Sequence, residues 1–128
     1  MARKRISVKE VSILKENQDK ILLFNQFLDD FYKESIDSKR YDLITDEPIY
    51  DANDPVFMCM LACSVHKLSN DYDLETPSWV FNNKYFLSKA HYAFDTKNRE
   101  FQNFLEISTP EEYKSRNLMY GDNVLQRC

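Results

Sequence analysis

Cys59, Cys63 and His66 stand at i, i+4 and i+7 in the stretch N-D-P-V-F-M-C-M-L-A-C-S-V-H-K-L-S-N, residues 53–70. On a helix this spacing puts two thiols and an imidazole on one arc, opposite Phe57, Leu61 and Leu68. Thiolate and imidazole are zinc ligands, and His91 or Cys128 could supply a fourth. Structural zinc sites, however, usually draw their ligands as short-spaced pairs from turns, and this chain has no C-x-x-C. Cysteine is also a common small apolar filler of buried positions. Packing is therefore the expected role, with Cys59, Cys63 and His66 kept as weak metal candidates. A nucleophilic pair formed by Cys63 and its helical neighbour His66 would need a lowered thiol pKa, and nothing nearby in sequence supplies one.

The carboxylate pairs Asp29/Asp30, Asp46/Glu47 and Glu111/Glu112 are adjacent in sequence. Neighbouring helical residues point apart, so these pairs do not form converging acid–base couples. A single glycine in 128 residues excludes glycine-rich phosphate loops, dinucleotide fingerprints and serine nucleophile elbows. No catalytic residue and no cofactor is expected. The scarcity of glycine also disfavours tight hairpins and tilts the fold toward helices.

The net charge of −4 argues against a general nucleic-acid coat. It is uneven: Arg3, Lys4 and Arg5 are clustered, leaving −7 on the remainder. Residues 1–6 read as a flexible basic N-terminus, the one segment suited to phosphate contact. A helix-turn-helix is not expected, because the helical stretch after residue 19 is acidic on its outer face. No apolar run approaches a membrane span, nothing resembles a signal peptide, and three cysteines make no secreted disulfide framework. The expected compartment is the cytoplasm.

One domain spanning 1–128 fits the length, with 43% hydrophobic residues to fill a core. Ser7-Val8-Lys9-Glu10 is a capping box that opens a first helix. Asn17-Gln18-Asp19 can break it. A second apolar stripe then runs through Ile21, Phe24, Leu28, Phe31 and Tyr32, with Asp29 and Asp30 facing away. Residues 35–51 read as a connection with apolar anchors. The 53–70 stretch, apolar nearly all round, is the helix the remainder should enclose, with Pro55 in its first turn. Ser78 is placed to cap a short helix carrying Trp79. Residues 98–107 predict a helix with Phe101, Phe104, Leu105 and Ile107 inward. Thr109-Pro110-Glu111-Glu112 reads as a second capping box, Asn117 as a left-handed stop, and 118–120 as an extended piece. The expected fold is a mainly α, single-domain bundle of about five helices with room for one minor strand pair.

Two late stretches carry a resemblance. Pro77-Ser78-Trp79-Val80 is followed by Tyr85-Phe86-Leu87. Further on, Thr109-Pro110-Glu111-Glu112-Tyr113-Lys114-Ser115-Arg116-Asn117 is followed by Asn123-Val124-Leu125-Gln126-Arg127. Together they resemble a family of small bacterial domains with the pattern P-x-W-V … (Y/F)-F-L … (S/T)-P-x-x-(F/Y)-x-x-R-N … N-x-L-x-R. Some members look like the antitoxin halves of toxin–antitoxin or abortive-infection modules, with nucleotidyltransferase-like toxins among their partners. The matching positions are Pro77, Trp79, Arg116, Asn117, Asn123 and Arg127, and the pattern covers about fifty residues. Unlike the two-domain members, this chain lacks a DNA-binding domain, and Cys128 has no counterpart.

The resemblance implies a non-catalytic protein-interaction module of antitoxin or immunity type that masks a protein partner, possible toxins included. The alternatives are a nucleic-acid-associated regulator using Arg3, Lys4, Arg5 and Arg116, and a metal protein or enzyme built on Cys59, Cys63 and His66. The partner-binding residues expected are Leu22, Leu23, Trp79, Tyr85, Phe86, Tyr92, Arg116 and Asn117. Substituting both Leu22 and Leu23 by Asp is expected to abolish partner capture while leaving the helices intact.

Overall fold

The computed structural model describes residues 4–126. Arg3, Arg127 and Cys128 lie outside them. Six α-helices are found among the described residues: α1 (Val8–Leu14), α2 (Lys20–Lys33), α3 (Asp37–Asp42), α4 (Pro55–Asp71), α5 (Arg99–Ser108) and α6 (Glu111–Lys114). Two short strands, β1 (His91–Tyr92) and β2 (Leu118–Met119), pair in parallel, with His91 opposite Leu118 and Tyr92 opposite Met119. The mainly α reading with one minor strand pair is the fold observed.

The helix α4 is the axis. Pro55 occupies its first turn, where a missing amide costs nothing. Phe57, Met58, Leu61, Val65 and Leu68 face the main core with Phe24, Phe27, Leu28 and Phe31 of α2 and with Ile44, Trp79 and Tyr85. The opposite side carries Cys59 and Cys63 into a second cluster with Tyr113 and Leu118. Elements on both sides thus enclose this helix, as an all-round apolar surface requires.

The helix α1 is closed by the expected box: Ser7 Oγ accepts from Glu10 N at 3.2 Å, and Glu10 Oε1 accepts from Ser7 N at 3.0 Å. The chain breaks at 17–19, where Asp19 Oδ1 accepts from Ile21 N at 2.8 Å and caps α2. The buried face of α2 differs from the expected stripe. Leu23, Phe27 and Asp30 point inward, while Ile21 is exposed. The cause is Asp30, whose carboxylate accepts the Ile6 backbone N–H at 2.9 Å and rotates that side of the helix onto the N-terminal segment. A short helix, α3, interrupts the connection expected at 35–51. Its Arg40 guanidinium lies 4.5 Å from the Tyr72 ring and donates to the carbonyls of Phe31 and Glu34.

Two local expectations fail at the hydroxyl level. Ser78 makes no cap; Ser78–Phe81 is a 3₁₀ turn entered from Pro77. Thr109 does not close a box with Glu112. Its Oγ1 donates back to Leu105 O at 2.6 Å and accepts from Gly121 N at 2.9 Å, tying the end of α5 to the chain after β2. Asn117 is the left-handed stop, at φ 66°, and its Nδ2 donates to Leu87 O at 2.7 Å. Gly121 also has positive φ (88°), which suits the only glycine. The largest departure is α5. Leu105 is buried, but Phe104 is 59% and Ile107 82% exposed, so most of its apolar stripe is uncovered.

Candidate docking site

The thiol–imidazole arc is built as the helix spacing implies, but it is occupied by packing. Cys59 and Cys63 are fully buried with their sulfurs 3.7 Å apart. Burial pushes the Cys63 thiol far up, which holds it neutral. His66 has other partners. Its Nδ1 lies 3.1 Å from Arg116 Nη1, and its ring packs edge-on against Phe81 at 5.0 Å. A guanidinium only donates, so Nδ1 must accept and Nε2 carries the imidazole proton. Among the described residues, no group of three or more His, Cys, Asp or Glu side chains is arranged to hold a metal ion.

Among the described residues, Arg116 is the largest fully buried side chain. It ties three elements together: Nη1 donates to Glu112 O at 2.7 Å in α6, Nη2 donates to Val80 O at 2.8 Å, and Nη1 meets His66 of α4. The guanidinium carbon lies 4.7 Å from the Phe86 ring, and burial pulls its pKa down. Desolvation, followed by the Arg116 charge, also lowers the His66 pKa, against a smaller upward pull from Glu112. The unfolded chain, with an ordinary histidine pKa of about 6.5, therefore takes up a proton that folded His66 refuses. Stability from this group is complete above that pH and is lost as pH falls below it. Urea midpoints measured from pH 7 to 5 are expected to decline in the native protein. The slope should flatten in His66→Gln, whose amide oxygen can still accept from Arg116; an unchanged slope would place its source elsewhere.

The sequence-adjacent carboxylates are also engaged separately. Asp30 holds Ile6 N, Glu47 accepts from the Tyr85 hydroxyl at 2.8 Å and pairs with Lys84, and Glu112 accepts from Asn70 at 2.8 Å. For Glu47, the upward push of burial is outweighed by its bonds from Lys84 and Tyr85, which leaves its pKa lowered.

The expected partner-binding residues do not form one surface. Leu23, Trp79, Tyr85 and Arg116 are buried. Trp79 Nε1 donates to Ile44 O at 3.2 Å, and Asn117 closes α6. Leu22 is exposed at 67%, so the paired Leu22/Leu23 substitution would test the core as well as the surface. Phe86 is half-buried over Arg116, and Tyr92 donates its hydroxyl to Glu106 at 2.5 Å. At the basic N-terminus, Arg5 Nε donates to Glu34 at 3.0 Å.

An apolar groove of about 590 Å³ opens instead between the 93–95 turn, α5 and residues 120–124. Met60, Leu105 and Tyr113 line it, with Phe94, Phe101, Phe104, Tyr120 and Val124. The Phe101 and Phe104 rings are nearly parallel, 10° apart in tilt with centroids at 6.3 Å. Phe94 is 92% exposed and sits at φ 59°, ψ 17°, followed by Asp95 at φ 51°. Left-handed backbone at a bulky residue is costly and concentrates at functional sites. Residues 90–96 show no period that would single out Phe94, and an apolar stripe such as that of Phe101 and Phe104 does not say whose surface covers it.

Comparisons with protein-family models, with curated proteins and with solved structures give no match.

Proposed function

We propose that this chain is a non-catalytic protein-interaction module of antitoxin or immunity type, which masks a partner seated on the groove between α5 and the 93–95 turn. The observation that carries the reading is the near-complete exposure of Phe94 on left-handed backbone beside an open aromatic groove. Contiguous exposed apolar surface of this kind marks interaction sites in soluble domains, and the volume lies within the roughly 300–1,000 Å³ of ligand pockets. The catalytic candidates are otherwise engaged: the Cys59/Cys63/His66 arc in packing, and Asp30, Glu47 and Glu112 in separate structural bonds. No helix among the described residues is long and apolar enough to cross a membrane. The two free buried thiols suit the reducing cytoplasm.

The masked partner is sought in the product of an adjacent reading frame, as the family resemblance implies. Co-expressed with that product, the native chain is expected to co-purify with it and Phe104→Asp to lose it. Phe104 is exposed, so the substitution should change unfolding free energy by no more than about 0.5 kcal/mol. Ile13→Asp, at an exposed site on α1 outside the groove, serves as the control that retains capture. Capture that survives Phe104→Asp would remove the groove from the function.

A further inference from the structure

The groove has a charge signature as well as a shape. Of the described residues lining it, Asp122 is the one that carries a charge, and it is exposed at the rim. A second carboxylate, Asp95, follows Phe94; its side chain is 81% exposed, with Oδ1 3.6 Å from His91 Nε2. Asp95 is close enough to add to the upward push that burial gives the Tyr120 phenol, so it bears on the groove wall. Two described cations nearby, Arg99 and Lys97, stay outside the groove lining. Arg99 reaches Gln102 at 3.3 Å and Glu106 at 3.9 Å along its own helix, and Lys97 lines a smaller neighbouring hollow with Asp95 and Gln102. Among the described residues the groove thus has five aromatic rings, from Phe94, Phe101, Phe104, Tyr113 and Tyr120, with Asp122 at the mouth, Asp95 beside it, and no base in the lining.

That combination selects its occupant. Aromatic faces attract ammonium and guanidinium groups, and rim carboxylates add to the attraction. The same carboxylates repel a phosphate backbone and an anionic lipid surface, and a second copy of this chain brings its own net charge of −4. We propose that the groove takes a basic amphipathic segment of the partner, its apolar face seated among the rings and a lysine or arginine turned to Asp122. Anchors at i, i+3, i+4 and i+7 fill a groove of this kind, while their long basic side chains reach the rim. The proposal rests on the docking reading above and gives it a partner chemistry.

Three synthetic helical peptides test it. They share one leucine face and carry lysine, glutamine or glutamate on the other. Binding is measured by fluorescence anisotropy to the native chain and to Asp122→Asn, Glu16→Gln and Phe104→Ala. The lysine peptide is expected to bind at least about tenfold tighter than the glutamine peptide, with the glutamate peptide weakest. Asp122→Asn should shrink the lysine preference at least about fivefold, whereas Glu16→Gln, which removes an exposed carboxylate outside the groove, should not. Phe104→Ala should weaken all three alike. A lysine preference that survives Asp122→Asn, or that falls equally in Glu16→Gln, overturns the proposal by assigning the effect to overall charge. Equal lysine and glutamine binding, both lost in Phe104→Ala, overturns it while leaving the groove a docking site. Binding indifferent to Phe104→Ala, or no binding of the lysine peptide, overturns it with the groove itself.

Discussion

Arg116→Ala is expected to lower unfolding free energy by about 4 kcal/mol, a large share of a small domain's stability. The substitution leaves the buried Val80 carbonyl without its donor, at about 1–3 kcal/mol, and takes the shorter of two side-chain donors from the part-buried Glu112 carbonyl, which keeps Ser115 Oγ at 3.4 Å. It also opens space between the Phe86 ring and α4. Arg116→Met separates the two losses, since it fills much of the volume but donates nothing; about 2 kcal/mol is expected to remain. Arg116→Lys keeps the charge but replaces a planar fork that reaches α6, the Val80 turn and His66 together by a single point donor. It should fall between the other two. Urea unfolding of the three variants gives the order. A fully stable Arg116→Met would mean that both carbonyls find other partners and that the guanidinium is not needed for the fold.

This side chain also shows where sequence and structure part. Arg116 lies in the turn just past the short helix that carries Tyr113, and its motif neighbours are legible, yet nothing local says that its guanidinium goes inside. Burial there depends on Val80 and His66, thirty-six and fifty residues away in sequence. The helix α4 was legible because its apolar surface leaves no solvent side, so any fold must enclose it. The capping box of α1 was legible because its two hydrogen bonds lie within one turn. Thr109 reads the same way by spacing, but Gly121 N competes for its oxygen and wins, a contact made only when β2 has brought the chain back. In α2 the stripe was read to within a modest rotation, which the Asp30–Ile6 bond decides. The partner strand of 118–119 is two residues long and carries no periodicity to detect. In α5 the pattern was read correctly and its meaning was not: the stripe exists, and the chain leaves most of it uncovered.

The uncovered face makes the second large prediction, Phe94→Gly, an unusual one, because stability and binding should move in opposite directions. A side chain 92% exposed contributes little packing, while its left-handed backbone costs about 1–2 kcal/mol relative to a residue that accepts that region. Glycine removes this cost but makes the unfolded chain more flexible, so a net gain of about 0.5–1 kcal/mol is expected. Partner capture should fall by about thirtyfold, equivalent to about 2 kcal/mol, as for an aromatic anchor at an interface centre. Phe94→Ala supplies the contrast, since it loses the ring, keeps a Cβ on strained backbone and gains no stability. If Phe94→Gly binds as well as the native chain, the ring is not an anchor. If it unfolds at lower urea, the left-handed turn is held by contacts of the ring and its strain needs no functional cause. The expected outcome, a more stable protein that no longer holds its partner, is the behaviour of a residue kept for binding at the expense of the fold.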